Sequence, residues 1–255
     1  MGVATTVAPG RRTAPPMGTH LRDGLLVALA VSSGAVDAIS WLGLGKVFSA
    51  FMTGNLAFVG FGVGGADGPP VGRTLVALAA FAVGAAIAAR VVRTAEADRP
   101  WPPRVVAALA LSLALQVLFL AVWLSVDADP STLVGDLLVA LSSLAMGMQT
   151  IAIFSLGVRA SFTTAATATI AVLMGDLAGW ASARAERLRL VALLAAIVAG
   201  AALGALLVDH ARHWAPLLPI ALTAAVVAVS RARDGRDPIV PSERRSDGRP
   251  SRAGR

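Results

Sequence analysis

Apolar residues run through the chain in eight blocks of membrane-helix length: Leu25–Leu44, Val47–Gly65, Thr74–Val92, Val105–Leu124, Leu133–Ser155, Ala160–Trp180, Leu188–Val208 and Trp214–Val229. They are continuously apolar and lack the alternation of a membrane β-barrel strand, so the pattern predicts an all-α, polytopic membrane protein. Short stretches rich in Gly, Pro and charge separate them, among them 66–72 (ADGPPVG) and 99–103 (RPWPP). No loop is long enough for a soluble domain. The pattern therefore predicts one membrane domain over residues 21–230, with disordered cytoplasmic ends at 1–20 and 231–255. Arg11-Arg12 precedes a full-length span, which reads as an anchor rather than a signal peptide.

Charge decides how many blocks cross. If all eight cross from a cytoplasmic N-terminus, four basic residues of the connecting segments fall inside and seven outside. If Leu25–Gly65 and Leu133–Trp180 each cross once, as a helix plus a re-entrant or broken segment, eight fall inside. Only Lys46, Arg73 and Arg212 then fall outside. The positive-inside rule selects this second arrangement, with six spans and both termini cytoplasmic. Trp41, Trp101, Trp123, Trp180 and Trp214 lie near block ends, the level an amphipathic ring prefers.

Composition agrees with this class. Hydrophobic residues make up 56% of the chain and charged residues 15%, against about 25% charged in soluble domains. The net charge of +7 sits in loops and tail rather than on a nucleic-acid-binding face. The chain has no cysteine, which excludes disulfides and thiolate metal sites. The strong excess of Arg over Lys and the abundant Ala suit a GC-rich bacterial genome, hence a bacterial inner membrane.

One stretch departs from the apolar pattern: Ser32 to Leu56, with Asp37 at mid-span, a Gly-rich break at Gly43–Gly45 and the polar group Met52-Thr53-Gly54-Asn55. A carboxylate at membrane depth costs roughly 2.5–3.5 kcal/mol on insertion scales, so it has a partner or a task. Asp37 can carry a proton or cation, or accept hydrogen bonds from a solute; the plainer alternative is a packing acceptor for neighbouring hydroxyls. Leu25–Leu29 recurs as Leu137–Leu141, a shift of 112 that sets Asp37 on Gln149 and Asn55 on Thr167. With three spans per half, the halves would be antiparallel, an arrangement frequent among secondary transporters. The expected substrate-binding set is Asp37, Thr53, Gly54, Asn55, Gln149, Thr163, Thr164 and Thr167, with Asp37 and Asn55 facing Gln149 and Thr167.

Gly175/Gly179 and Gly200/Gly204 are spaced for close helix packing. No catalytic, cofactor or phosphate-loop spacing is present, and His210 and His213 are interfacial rather than metal-binding. The expectation is a non-enzyme without cofactor. Its partners would be membrane lipid and an unknown small solute or ion, with homo-oligomer formation open and no nucleic acid. A small-solute or ion transporter is favoured over a non-transporting scaffold.

Gly34, Asp37-Ala38, Leu44-Gly45-Lys46-Val47-Phe48 and Met52-Thr53-Gly54-Asn55 together resemble the YoaK-like family of uncharacterised bacterial membrane proteins, the domain-of-unknown-function 1275 group. Gly147-Met148-Gln149 and Thr163-Thr164-Ala165-Ala166-Thr167 are similar to the family's second-half pattern, with Ala166 where Gly is expected. The resemblance spans roughly residues 20–230 and implies a multi-pass membrane protein without supplying a substrate.

Overall fold

The computed structural model describes residues 17–93, 101–157, 166–177 and 184–234. They form eight α-helices: α1 Met17–Gly43, α2 Met52–Val63, α3 Val71–Val92, α4 Pro103–Ser125, α5 Thr132–Phe154, α6 Ala166–Leu177, α7 Arg184–His210 and α8 Leu217–Asp234, with a 3-10 turn at Arg212–Trp214. Six are long and apolar enough to cross a membrane, the last counted together with the 3-10 turn. The helix α2 has 12 residues, about 18 Å, too short to span, and the described part of α6 holds 12 as well. Among the described residues, then, six helices can span. Two boundaries differ from expectation, because α1 already begins at Met17 and α8 continues to Asp234. The rest of both expected disordered ends lies outside the described residues.

Polar contacts fix how the helices run. Arg73, at the start of α3, donates to the carbonyls of Leu44 just past α1 and of Thr132 at the start of α5. Trp123, near the end of α4, donates its indole N–H to the Arg212 carbonyl between α7 and α8. Arg212 Nε donates in turn to the Ala128 carbonyl between α4 and α5. These termini therefore share one end of the bundle. The helices α1, α4 and α7 run towards it, and α3, α5 and α8 run away. This end carries Asp127, Asp129, Asp136 and Asp209 beside Lys46, Arg73 and Arg212; we call it the acidic end. The opposite helix ends carry Arg22, Arg90, Arg93, Arg104, Arg184, Arg187, Arg189, Arg231 and Arg233.

The largest interfaces join α1 to α7 and α3 to α5, each a parallel pair. Glycines let both pairs close to backbone contact. A Cβ at Gly34 would strike the Ile197 carbonyl, and one at Gly200 the Val31 carbonyl. In the other pair, a Cβ at Gly147 would strike the Phe81 carbonyl, and one at Gly84 the Leu144 carbonyl. Small residues here replace the hydrophobic drive that lipid removes. The helices α1 and α8, α4 and α5, and α4 and α8 complete the bundle, while α2 lies on α3 and α6 on α7.

Burial follows the same two-part plan. From Asp23 to Ser40 every residue of α1 has the burial class of the α5 residue 113 positions later, Asp136 to Ile153. At the expected shift of 112 burial agrees less well, since Asp37 is half-buried and Gln149 buried; at 113 Gly34 falls on Gly147 and Asp37 on Thr150. The Leu-rich identity that suggested 112 is compositional, whereas burial tracks which face meets α3 or α7.

Two apolar clusters fill the interior. One, holding Leu26, Leu29, Val105, Leu109, Ile153 and Val226, lies toward the basic end. The other, holding Ile39, Leu44, Val47, Phe119, Trp123 and Leu138, lies toward the acidic end. Trp123 is completely buried in the second cluster rather than lying in the headgroup layer. Trp214 is exposed, and Trp180 lies outside the described residues. Between the clusters, on α1, α4, α5 and α8 alike, comes a polar layer: Ser32, Ser33, Ser112, Gln116, Ser142, Ser143 and Thr223, all buried.

Candidate functional site

The break after α1 begins with a tight reversal. Leu44 N–H donates to Ser40 O and Lys46 N–H to Trp41 O, with Gly45 and Lys46 both at positive φ (86° and 65°). Gly45 also leaves room for Arg73, whose guanidinium a Cβ there would strike. The chain then folds back along α1 without helical bonds, and its freed amides need partners within the protein. Asp37 supplies one: Oδ1 accepts the N–H of Ser49 at 2.9 Å and of Ala50 at 2.7 Å. Asn55 supplies the other, because its Oδ1 accepts Phe48 N–H at 3.0 Å while Nδ2 donates to Phe48 O at 2.7 Å. That two-way bond copies a strand neighbour in one side chain. The carboxylate thus lies at the entry of α2, the positive end of that helix's dipole.

Around this fold-back, Trp41 stacks on Phe48 at 4.8 Å, and Phe48 also meets Phe51 and Phe58. Gly54 makes room for the Phe48 and Phe51 rings. Thr53 is exposed. Within the polar motif, then, Asn55 clamps, Gly54 clears space and Thr53 faces outward.

Ser49 carries the fold-back into the bundle. Its hydroxyl lies 2.9 Å from Ser40 Oγ and 2.5 Å from Ser142 Oγ. Ser40 and Ser142 border a cavity of about 20 Å³ between α1, α4, α5 and α8, lined also by Gln116, Phe119, Met146 and Pro219 among others. That volume holds about one water molecule. Gln116 Nε2 lies within bonding distance of Thr223 Oγ1 at 3.3 Å and Ser112 Oγ at 3.4 Å, while its buried Oε1 has no partner. Thr223 continues to Ser32 at 3.4 Å, and Ser112 donates to Ala145 O. A chain of hydroxyls and one amide therefore threads the middle of the bundle. It can accept and donate hydrogen bonds but supplies no charge.

The sequence-predicted set divides. Asp37 and Asn55 do share one centre, the segment 48–50. Gln149 does not face them: its Nε2 donates to Leu29 O at 3.3 Å, eight residues or about 12 Å along α1 from Asp37. Its Oε1 is buried without a partner. Thr167 is exposed on α6, and the buried threonine of that helix is Thr169. Thr163 and Thr164 lie outside the described residues. Gln116, Ser40, Ser142 and Thr223 were missed. A lone amide inside the apolar run Val105–Leu124 was the available signal. Among the described residues no cluster of His, Asp or Glu could hold a metal.

These features define a multi-pass helical membrane protein with an interrupted helix pair and a polar mid-layer. A family model described as "Protein of unknown function (DUF1275)" matches residues 25–229, and the chain belongs to that family. It is similar to "UPF0700 transmembrane protein YoaK" of Bacillus subtilis (strain 168), 35% identical over 158 residues, which cover 62% of this chain and 68% of the relative. No solved structure matches.

Proposed function

We propose that the protein is a secondary transporter for a small solute, built from two antiparallel repeats, with both termini cytoplasmic and no catalytic step. The observation that carries the reading is the buried, unpaired Gln116 Oε1 at a cavity midway between two apolar clusters. An orphaned amide oxygen forfeits about 1–3 kcal/mol, which a hydrogen-bond donor recovers; the cavity as it stands admits only a water-sized donor, so a solute binds once the surrounding helices part. The lining carries hydroxyls and an amide but no charged group, which favours an uncharged solute over an ion.

The repeat reading rests on pairs of interfaces that exchange under it. Exchanging α1 with α5 and α3 with α7 turns the α1–α7 crossing at Gly34 and Gly200 into the α3–α5 crossing at Gly147 and Gly84. Burial classes agree at 113 for α1 and α5. They agree nearly throughout α3 and α7 at 116. Each exchanged pair runs in opposite directions through the bundle, as inverted repeats do.

Flux into proteoliposomes tests transport. Small amides, polyols and amino acids, with a pH-sensitive dye inside, form the panel. At least one solute should enter faster than into protein-free vesicles. Gln116→Leu should lower that rate roughly tenfold, the loss of about one hydrogen bond, with melting temperature kept. No flux for any solute would leave the scaffold reading. Orientation is tested separately. Reporters fused after Arg99 and after Asp129 should read cytoplasm and exterior, as the basic and acidic ends require; opposite signals would reverse the protein in the membrane.

A further inference from the structure

Asp136 lies eleven residues before Gly147 on α5, and Arg73 eleven before Gly84 on α3. The two helices run parallel and cross at those glycines, so equal counts bring both side chains to one level, about 16 Å nearer the acidic end. There Arg73 Nε donates to Asp136 Oδ1 at 2.6 Å, with Nη1 and Nη2 on the Leu44 and Thr132 carbonyls at 2.9 and 3.0 Å. One guanidinium thus ties α3 to α5 and to the chain leaving α1. Charge-assisted bonds of this length are the strong ones.

The α1–α7 pair repeats the layout at the basic end. Asp23 lies eleven residues before Gly34 and Arg189 eleven before Gly200, again on parallel helices that cross at those glycines. Burial agrees too, since Asp23 and Asp136 are both half-buried, as are Arg73 and Arg189. The bonding differs. Asp23 pairs with its neighbour Arg22 at 3.4 Å, and the partners of Arg189 include Glu186, one turn earlier on α7, at 3.6 Å.

We propose that Arg73–Asp136 and Arg189–Asp23 are two alternative latches, one at each end of the bundle, made in turn as the protein passes between two conformations. The structure is the state in which the acidic-end latch is made. The proposal rests on the two-repeat reading above, and it gives the transporter its gates. An equilibrium of this kind moves only by the difference in interaction between its states, so weakening one latch must populate the other.

The absence of native cysteine makes the test direct. Ile39 and Ala152 are buried repeat counterparts, the first toward the acidic end and the second toward the basic end. Ile39→Cys and Ala152→Cys are each labelled with a membrane-impermeant maleimide, in vesicles of both orientations. Asp136→Asn should raise labelling of Ile39→Cys from the acidic side about tenfold, the shift that about 1.4 kcal/mol produces, without raising that of Ala152→Cys. Asp23→Asn should lower labelling of Ile39→Cys below the native rate. The exchanged pair Arg73→Asp with Asp136→Arg should restore protection. Equal rises at both probes would mean general loosening and overturn the proposal, as would no change at either, or a rise at Ile39→Cys with Asp23→Asn. Labelling needs no solute, so reciprocal labelling without any flux removes only the transport reading.

Discussion

Gly147→Val is expected to abolish the well-packed protein. A Cβ at this position meets the Phe81 carbonyl and the Ala85 amide nitrogen, both backbone, so no neighbouring side chain can swing aside. Relief requires α3 and α5 to part along their whole crossing, which also loosens the Gly84 contact on the other side. Overpacking a well-packed interior costs about 1–3 kcal/mol where side chains can shift, and a backbone obstruction belongs at or above the top of that range. The measurement is yield of monodisperse protein in mild detergent, with thermal melting of whatever remains. Gly60→Val is the matched control, since nothing lies within 4 Å of a Cβ there. Gly60→Val should melt within about 2 °C of native, and a Gly147 variant doing the same would refute the α3–α5 crossing.

Asp37→Leu is expected to release the fold-back after α1. Two amides, of Ser49 and Ala50, then lose their acceptor at membrane depth, at about 1–3 kcal/mol each. Asp37→Asn keeps an acceptor oxygen of similar reach and loses only the charge assistance. Its cost is about 1–2 kcal/mol, the gap between charged and neutral hydrogen bonds. The expected order of melting temperature is native, then Asn, then Leu, with the larger step at Leu. Trp41 stacks on Phe48 within the released segment, so tryptophan emission should shift along with melting. A carrier role for Asp37 makes a different demand: flux and its pH dependence vanish in a stable Asp37→Asn protein. Equal melting of the Asn and Leu variants would show that the amides of 49 and 50 are satisfied without residue 37.

How much of this could be read from the chain depends on the kind of signal. Apolar run length is a local property and located the eight blocks, but it made all of them long enough to cross; the count of six was legible only from the charges of the connecting segments. The break at Gly43–Gly45 and the link between Asp37 and Asn55 were legible as well, because charge and amide interrupt an apolar run within twenty residues. Register was not. Leu25–Leu29 and Leu137–Leu141 look alike since most membrane helices are rich in Leu, Ala and Val. The offset of 113 on which the proposed repeat rests shows only in burial and where Gly34 and Gly147 press on the backbones of α7 and α3. Gln149 and Gln116 are equally conspicuous amides, and position in sequence cannot say which one borders a cavity. Trp123 sits at the right level for a lipid-facing ring, but Arg212, 89 residues away, closes over it together with Ala128 of the adjoining turn.

The pairing of α1 with α7 has a consequence for synthesis. Gly34 leaves the ribosome 166 residues before Gly200, the other glycine of the α1–α7 crossing. At 5–20 residues per second that interval is roughly 8–33 s. Through it, the first helix lies in the bilayer with its small-residue face waiting for a partner that is still untranslated. The pair α3 and α5 closes earlier, across a separation of 63 residues between Gly84 and Gly147. Assembly therefore proceeds from the middle of the chain outward, and the first span inserted is among the last to be packed.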